Sequence, residues 1–308
     1  MSPGSGSNRT HEGEKGSPTA RRPNLIVVGD VMIDVSVASG ALAPGGDVHG
    51  DVRLRPGGSG PNAAVWAAAS GMRVRLHGRI GSDLAGRMVC EALQERGVDP
   101  AMTVDHEAPT GAMLVVHQPG ERSMVASRGA NARFAPGDLP SGLEADAVLV
   151  SGYLLFHPDS EPATRLALER ARAPLVAVDA ASWPLVEAYG PGRFLEATEG
   201  ADLVLANERE AQVLTGLEGE AAVLTLGARY RIACVKLGSS GAAVAHEGRI
   251  VRVPSPTVEE VDPTGAGDAF NGVFVSGLVR GQAMLDVLAH ACDAGARVAA
   301  AGETWPMR

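Results

Sequence analysis

The densest chemistry in the chain lies in Val261-Asp-Pro-Thr-Gly-Ala-Gly-Asp-Ala-Phe-Asn-Gly272. A Gly-Ala-Gly turn, Gly265 to Gly267, runs straight into a helical pattern with Phe270, Val273, Phe274 and Leu278 at its apolar positions. The first N–H groups of a helix have no internal acceptor and sit at its positive dipole end. Glycine there removes the Cβ that would hold a phosphate oxygen away from those amides. Asp268 falls in the first turn, beside that anion site. Its carboxylate could take the proton of a hydroxyl attacking a bound phosphoryl group. A plainer reading competes: glycine for a tight turn, and an aspartate that complements the dipole. It covers Gly265 and Asp268 one at a time, but not the crowding of Asp262, Thr264 and a helix start at one turn.

Four other segments carry weaker signals. Pro56-Gly-Gly-Ser-Gly-Pro-Asn62 sits where a β-like stretch meets an Ala-rich helix. Its glycines suit a hinge or a close ligand approach. Asn62 offers an amide to hydroxyl groups, or merely caps the helix. Gly29-Asp-Val-Met-Ile-Asp34 closes the first strand, at the edge where open α/β sheets bind ligands. Asp34 there could accept two hydrogen bonds from a polyol, although alone it reads as a solvated turn residue. Asn207-Glu-Arg-Glu210 follows a strand and reads as a capping box. Lys236-Leu-Gly-Ser-Ser-Gly241 is a strand entering a Gly-rich turn, which could be no more than a hairpin. The chain has no GxxxxGK[ST], no GxGxxG after a strand, no GxSxG and no HExxH.

These segments need a frame. The chain has 308 residues, 45% hydrophobic and 20% charged, enough to bury a large core and to exclude global disorder. That length allows two domains, or one α/β unit with an appendage. Asp and Glu (36) outnumber Lys and Arg (27), a net charge of −9 that argues against a nucleic-acid surface. Cys90, Cys234 and Cys292 are far apart and form no CxxC, which argues against disulfides or zinc and fits a reducing cytoplasm. No apolar run approaches the ~20 residues of a membrane span. Residues 1–24 lack the apolar core of a signal peptide and read as a disordered tail.

From residue 25 to 308, strand and helix patterns alternate. This predicts an α/β core: a mostly parallel central sheet flanked by helices on both faces. Two stretches, about 35–57 and 101–128, are β-only. The second carries Thr110–His117 and Arg122–Ser127 around Gln118-Pro-Gly-Glu121, a hairpin signal. The two are expected to pair as a small β lid hinged near Gly57-Gly58. Met113, Val115 and Met124 are candidates for its apolar face, to be covered by substrate or a partner subunit.

In this order and spacing the segments resemble the ribokinase-like (PfkB-type) carbohydrate kinases, from Leu25 to Gly302. Asp262 to Phe270 resembles that family's C-terminal signature, and Gly57-Gly58 through Asn62 its N-terminal one. Gly129-Ala130-Asn131 is a further familial run. The resemblance implies the ribokinase-like fold and a cytoplasmic, ATP-dependent kinase that phosphorylates a hydroxyl of an unphosphorylated, ribose- or fructose-like sugar. It makes Asp268 the general base, and Gly265, Ala266 and Gly267 the anion hole. It implies substrate contacts at Asp34, Gly58, Ser59, Asn62 and Tyr153, and nucleotide contacts at Asn207, Glu210, Lys236, Gly238 and Gly241. Glu210 would hold Mg²⁺ through water. Asp262 and Thr264 would form part of a K⁺ site completed near Ala299–Gly302, and the lid would pair two subunits into a homodimer.

The sequence also departs from the family pattern. Met32 stands where ribokinases carry Asn, Ser59 where they carry Lys, Tyr153 where they carry Glu, and Lys236 where Thr is common. The three substrate-side changes point away from ribose. Met32 and Tyr153 imply a more apolar pocket, compatible with a nucleoside or a modified sugar. Gly29 to Asp34 is locally similar to heptose kinases of the same family. No Arg/Lys cluster marks a sugar-phosphate site. An adenosine-like nucleoside kinase is therefore an alternative. A non-catalytic sugar or nucleotide sensor is another, but it need not keep Asp268. A Rossmann oxidoreductase lacks its fingerprint.

Overall fold

The computed structural model describes residues 1, 21–39, 45–118 and 121–307. Most of the expected tail, 1–24, and the tip of the Gln118–Glu121 turn lie outside them. In chain order, the first half contains β1 (Asn24–Val28), β2 (Met32–Ser39), β3 (Gly50–Gly57), α1 (Ser59–Ala69), β4 (Arg73–Gly81), α2 (Leu84–Glu95), β5 (Val98–Asp105), β6 (Gly111–Gln118) and β7 (Glu121–Ser127). Then come β8 (Leu143–Glu144), β9 (Ala147–Ser151), α3 (Glu161–Arg170), β10 (Ala171–Arg172), β11 (Val176–Asp179), α4 (Trp183–Tyr189), α5 (Pro191–Ala197), β12 (Leu203–Asn207) and α6 (Glu208–Thr215). The last elements are α7 (Gly219–Gly227), β13 (Ile232–Lys236), β14 (Ala242–His246), β15 (Arg249–Val253), α8 (Ala266–Val279) and α9 (Met284–Ala301).

The main sheet runs β15-β14-β13-β12-β11-β9-β1-β4-β5 and is parallel except for the β14–β15 hairpin at one edge. Its inner strands are near-continuous apolar runs because helices cover both faces. Alternation divides their side chains. Leu25, Val27, Leu149, Leu205 and Cys234 pack with α1, α2, α8 and α9 on one face. Ile26, Val28, Val150, Val204 and Val235 pack with α3 to α7 on the other. Among the described residues no helix is long and apolar enough to cross a membrane.

A second sheet, ordered β3-β2-β6-β7, stands over the C-terminal edge of the first. It is shorter than the β-only stretches suggest. Val98–Asp105 pairs in parallel with β4 and is the edge strand of the main sheet, so residues 101–105 leave the expected insertion. No helix follows β5, and β-only composition cannot separate an edge strand from an inserted one. At the other boundary, β2 already begins at Met32. The small sheet is tied to the core at its root: the Asp83 carboxylate, which caps α2 by accepting from Gly86 N (2.9 Å), also accepts from Thr110 N (2.8 Å) just before β6.

Side chains alternate across this sheet. Met32, Asp34, Met113, Met124 and Ala126 line a cleft beneath it. The candidate lid residues Met113 and Met124 therefore face inward. The opposite face carries Val35, Val37, Val52, Leu54, Leu114 and Val125. Val52, Leu54 and Val125 are 59%, 56% and 65% exposed.

Candidate active site

Parallel strands deliver their last residues to one edge, and the polar side chains of the site collect there. Asp30 follows β1, Ser151 ends β9, Asp179 ends β11, Asn207 ends β12 and Lys236 ends β13. Together with the small sheet and the start of α8 they enclose a cleft of about 580 Å³. A second cavity of about 250 Å³ adjoins it, sharing Lys236, Gly238 and Gly267. It runs past Gly241 and Ala266 to Cys292 and Gly295 on α9.

Asp268 sits half-buried where these spaces meet, in the first turn of α8. Its Oδ2 accepts from Asn62 Nδ2 at 2.9 Å, and Asn62 Oδ1 accepts from Trp305 Nε1 at 2.9 Å. Asn62 is thus no cap: α1 begins at Ser59, and the amide of Asn62 binds Asp268 instead. Burial raises the Asp268 carboxyl well above its ordinary range. Donation from Asn62 and the charge of Lys236 oppose the rise, while Asp179 and Asp30 add to it. A carboxyl so placed holds a proton more tightly than a free aspartate and, when ionised, could act as a general base.

The turn before α8 has the shape the sequence predicts. Gly265 has φ of 80°, a left-handed conformation in which a side chain is strained, and a Cβ there would also meet Thr304 at 2.9 Å. The Ala266 N–H is committed to the Pro263 carbonyl at 3.0 Å, so any anion at this turn would have to meet the amides of its flanking glycines. Asp262 Oδ1 accepts from Thr264 N (3.0 Å) and Thr264 Oγ1 (2.7 Å). The Ala299 carbonyl accepts from Val261 N (2.8 Å) and Asp262 N (3.1 Å). The Asp262–Thr264 turn is therefore docked on the C-terminal end of α9, among the oxygen donors that hard cations take.

Lys236 Nζ donates to Asp179 Oδ1 and Asn271 Oδ1, each at 3.1 Å, and would lie 3.5 Å from a Cβ on Gly267. Burial would lower its pKa, but Asp179 and Glu210 hold it above the ordinary lysine value. A fixed cation thus faces the amide turn. Glu210 is buried, and burial raises its carboxyl against the pull of Lys236. Its two oxygens accept from Asn207 N (2.7 Å) and Asn207 Nδ2 (2.6 Å), a complete capping box. With these contacts in place, Glu210 and Asp179 would meet Mg²⁺ only in company with water and phosphate.

At the other end of the cleft, the Ser59 hydroxyl is drawn into a buried network with Asp30 Oδ1 and Ser151 Oγ, each at 2.6 Å. That hydroxyl supports Asp30 before it can meet a ligand. Gly58 has φ of 94°, and a Cβ there would strike the Asp30 carbonyl at 2.5 Å. Asp34 lines the cleft, its carboxyl pushed up to about 6 by burial and by Asp30, with Arg55 opposing. Tyr153 and Phe156 complete an apolar wall with Met32, Met113 and Met124.

The structure adds Asp30, Asp179, Arg128 and Trp305 to the residues singled out from the sequence, and shows what Asn131 does. Asn131 explains the Gly129-Ala130-Asn131 run: its amide accepts from Val31 N and donates to Val31 O, both at 2.8 Å, like a neighbouring strand. Asp30 and Asp179 shared one available signal, an acidic residue at the end of an apolar strand.

Comparison with known proteins agrees with this geometry. A model of the pfkB family of carbohydrate kinases matches residues 22–304. A ribokinase of Arabidopsis thaliana is 29% identical over 303 residues, 91% of this chain and 77% of its own. A 2-dehydro-3-deoxygluconokinase of Thermoproteus tenax is 33% identical over 234 residues, 71% of each chain. The crystal structure of adenosine kinase from Sinorhizobium meliloti superposes with a TM-score of 0.83 at 23% identity, over 94% of this chain and 97% of that one.

Proposed function

Since the chain belongs to the pfkB family of carbohydrate kinases, phosphotransferases acting on hydroxyl groups, we propose that it is an ATP-dependent kinase for an unphosphorylated sugar of ribose or fructose size. The observation that carries this reading is Asp268, held by Asn62 in the first turn of α8 beside the Gly265–Gly267 turn and Lys236.

In this reading the acceptor lies between Asp34 and Asp268. Asp34 accepts hydrogen bonds from its hydroxyls, and Asp268 takes the proton of the hydroxyl that attacks. The amides at the turn and the Lys236 ammonium balance the charge that gathers on the transferring phosphoryl group. Asn207, Glu210, Gly238 and Gly241 border the nucleotide. Mg²⁺, when bound, neutralises phosphate charge, with Glu210 reaching it through water. K⁺ at the Asp262–Thr264 turn would order the amides. The small sheet would act as a lid that excludes water, with its outer face pairing two subunits. A nucleoside acceptor is the second reading. It is favoured by the wall of Tyr153, Phe156 and three methionines, which suits a base.

The test is acceptor-dependent ADP release from Mg-ATP over ribose, fructose and adenosine, in K⁺ and in tetramethylammonium at equal ionic strength. Turnover should require an acceptor and be faster in K⁺. Asp268→Asn should lower kcat by about 10²–10⁴ with little change in ATP affinity. A variant that kept near-full kcat would remove Asp268 as the base, and equal rates in the two cations would remove the K⁺ site.

A further inference from the structure

Two cations line the cleft, and they differ in one respect. Lys236 is satisfied by Asp179 and Asn271. Arg128 is not: its Nε and Nη2 are sealed from solvent and have no hydrogen-bond acceptor among the described residues. The guanidinium remains ionised at any physiological pH, so the unpaired charge persists. Burial lowers its pKa, and the pull of Asp30 and Tyr153 opposes this. Asp30 attracts this charge but makes no hydrogen bond to Nε or Nη2. Both Asp30 oxygens are already engaged, Oδ1 by the Ser59 and Ser151 hydroxyls and Oδ2 by Ser59 N.

Nor is Arg128 on a loose arm. It follows β7 directly and precedes Asn131, which clamps the backbone of Val31. A desolvated cation held without a partner is costly, and an anion bound beside it would relieve that cost. Nε and Nη2 also lie on one edge of the guanidinium, where their parallel N–H groups match the two oxygens of a carboxylate. Arg128 forms part of the cleft wall, and a ligand there would meet that edge once the side chain rotates toward it.

We propose that Arg128 recognises an anionic group on the acceptor, and that the acceptor is a sugar acid, a polyhydroxylated monocarboxylate. This rests on the kinase reading above and narrows its acceptor. The carboxylate meets Arg128, hydroxyls meet Asp34, and one hydroxyl reaches Asp268. In the transfer, that oxygen forms a bond to the γ-phosphorus and the bond from phosphorus to the β–γ bridging oxygen breaks. ADP departs with that electron pair, and the hydroxyl proton passes to Asp268. A single carboxylate suits the local charge better than a phosphate ester. One guanidinium would have to balance two negative charges, with Asp30 and Asp34 lining the same end.

The experiment compares gluconate and 2-dehydro-3-deoxygluconate with fructose and fructose 6-phosphate, in wild type, Arg128→Met and Arg128→Lys. Binding without ATP is read by thermal shift, and turnover by ADP release. A sugar acid should raise the melting temperature of wild type but not of Arg128→Met, and should be the best acceptor. Arg128→Met should raise its KM about 10- to 100-fold, the range of a charged hydrogen bond. Arg128→Lys should recover part of this loss, having the charge without the fork. Ligand-free Arg128→Met should melt higher than wild type, because it buries no unpaired charge. If the acids bind through Arg128 yet no ADP appears, the kinase reading fails and the anion site stands. If fructose turns over as well as the acids and Arg128→Met is indifferent to them, the kinase reading stands and the anion site falls. Preference for fructose 6-phosphate would make the anion a phosphate and overturn the sugar acid. An Arg128→Met protein that melts lower or fails to fold would make Arg128 a structural residue.

Discussion

Asn62 has no freedom in how it faces Asp268. An indole N–H only donates, so Trp305 fixes the amide oxygen toward itself and the amide nitrogen toward Asp268. The Trp305 ring is held in turn by Arg96, whose guanidinium carbon lies 5.6 Å from the ring centroid. Donation from Asn62 favours the ionised carboxylate, as Lys236 does, against burial and the charges of Asp30 and Asp179. Trp305→Phe keeps the ring and removes the N–H, leaving the amide able to present its oxygen to Asp268. We expect kcat at neutral pH to fall about 2- to 10-fold, the worth of one ordinary hydrogen bond. The acid limb of the pH–rate profile should move to higher pH. In an Asn62→Ala background the same substitution should add nothing, because its effect travels through Asn62. Additive losses in that double-mutant cycle would show that Trp305 serves only the fold. Nothing in the sequence marked Trp305. It stands 37 positions after Asp268, and no spacing rule joins a lone tryptophan to a distant amide.

At the level of elements, the sequence exposes whatever is periodic or contiguous. The strands of the main sheet read as apolar runs, and the start of α8 reads as an anion turn because its parts are adjacent in the chain. Asn62, Asp34 and Lys236 lie away from that turn in sequence: their own segments carry only weak signals, and the family resemblance is what ties them to it. Register is what the sequence leaves out. It decides that β5 belongs to the main sheet, that Asp30 meets Ser59 and Ser151, and that Met113 and Met124 face the cleft. Val52, Leu54, Leu114 and Val125 are left on the outer face of the small sheet, and an apolar face of this kind usually meets another surface. A second copy of the chain is the expected occupant. Light scattering should give a dimer, and Val125→Asp should give a monomer that retains its secondary structure. A wild-type monomer at micromolar concentration would count against the pairing and leave the lid untouched.

Across the whole molecule, the cleft gathers Asp30, Asp34, Asp179, Glu210 and Asp268 against, among the described residues, only Arg128 and Lys236. Three of those carboxyls, Asp34, Glu210 and Asp268, hold their protons more tightly than free side chains do, chiefly through burial. For Asp34 the change is from the ordinary 3.8 to about 6. The folded protein therefore keeps a proton that the unfolded chain has already lost. The contribution of this group to stability is complete below pH 3.8 and lost as pH rises through about 6. Glu210 and Asp268 act in the same direction. The melting temperature of the ligand-free protein should fall between pH 5 and pH 8, while turnover, with Asp268 as the proposed base, should climb. Mg²⁺ with nucleotide should restore most of the lost stability at the alkaline end, where the carboxylates repel one another most. A melting temperature that rose across this range would mean that other groups outweigh the cleft. The most durable and the most active states would then differ in protonation, and the conditions that best preserve a stock of this enzyme would be those in which it works least.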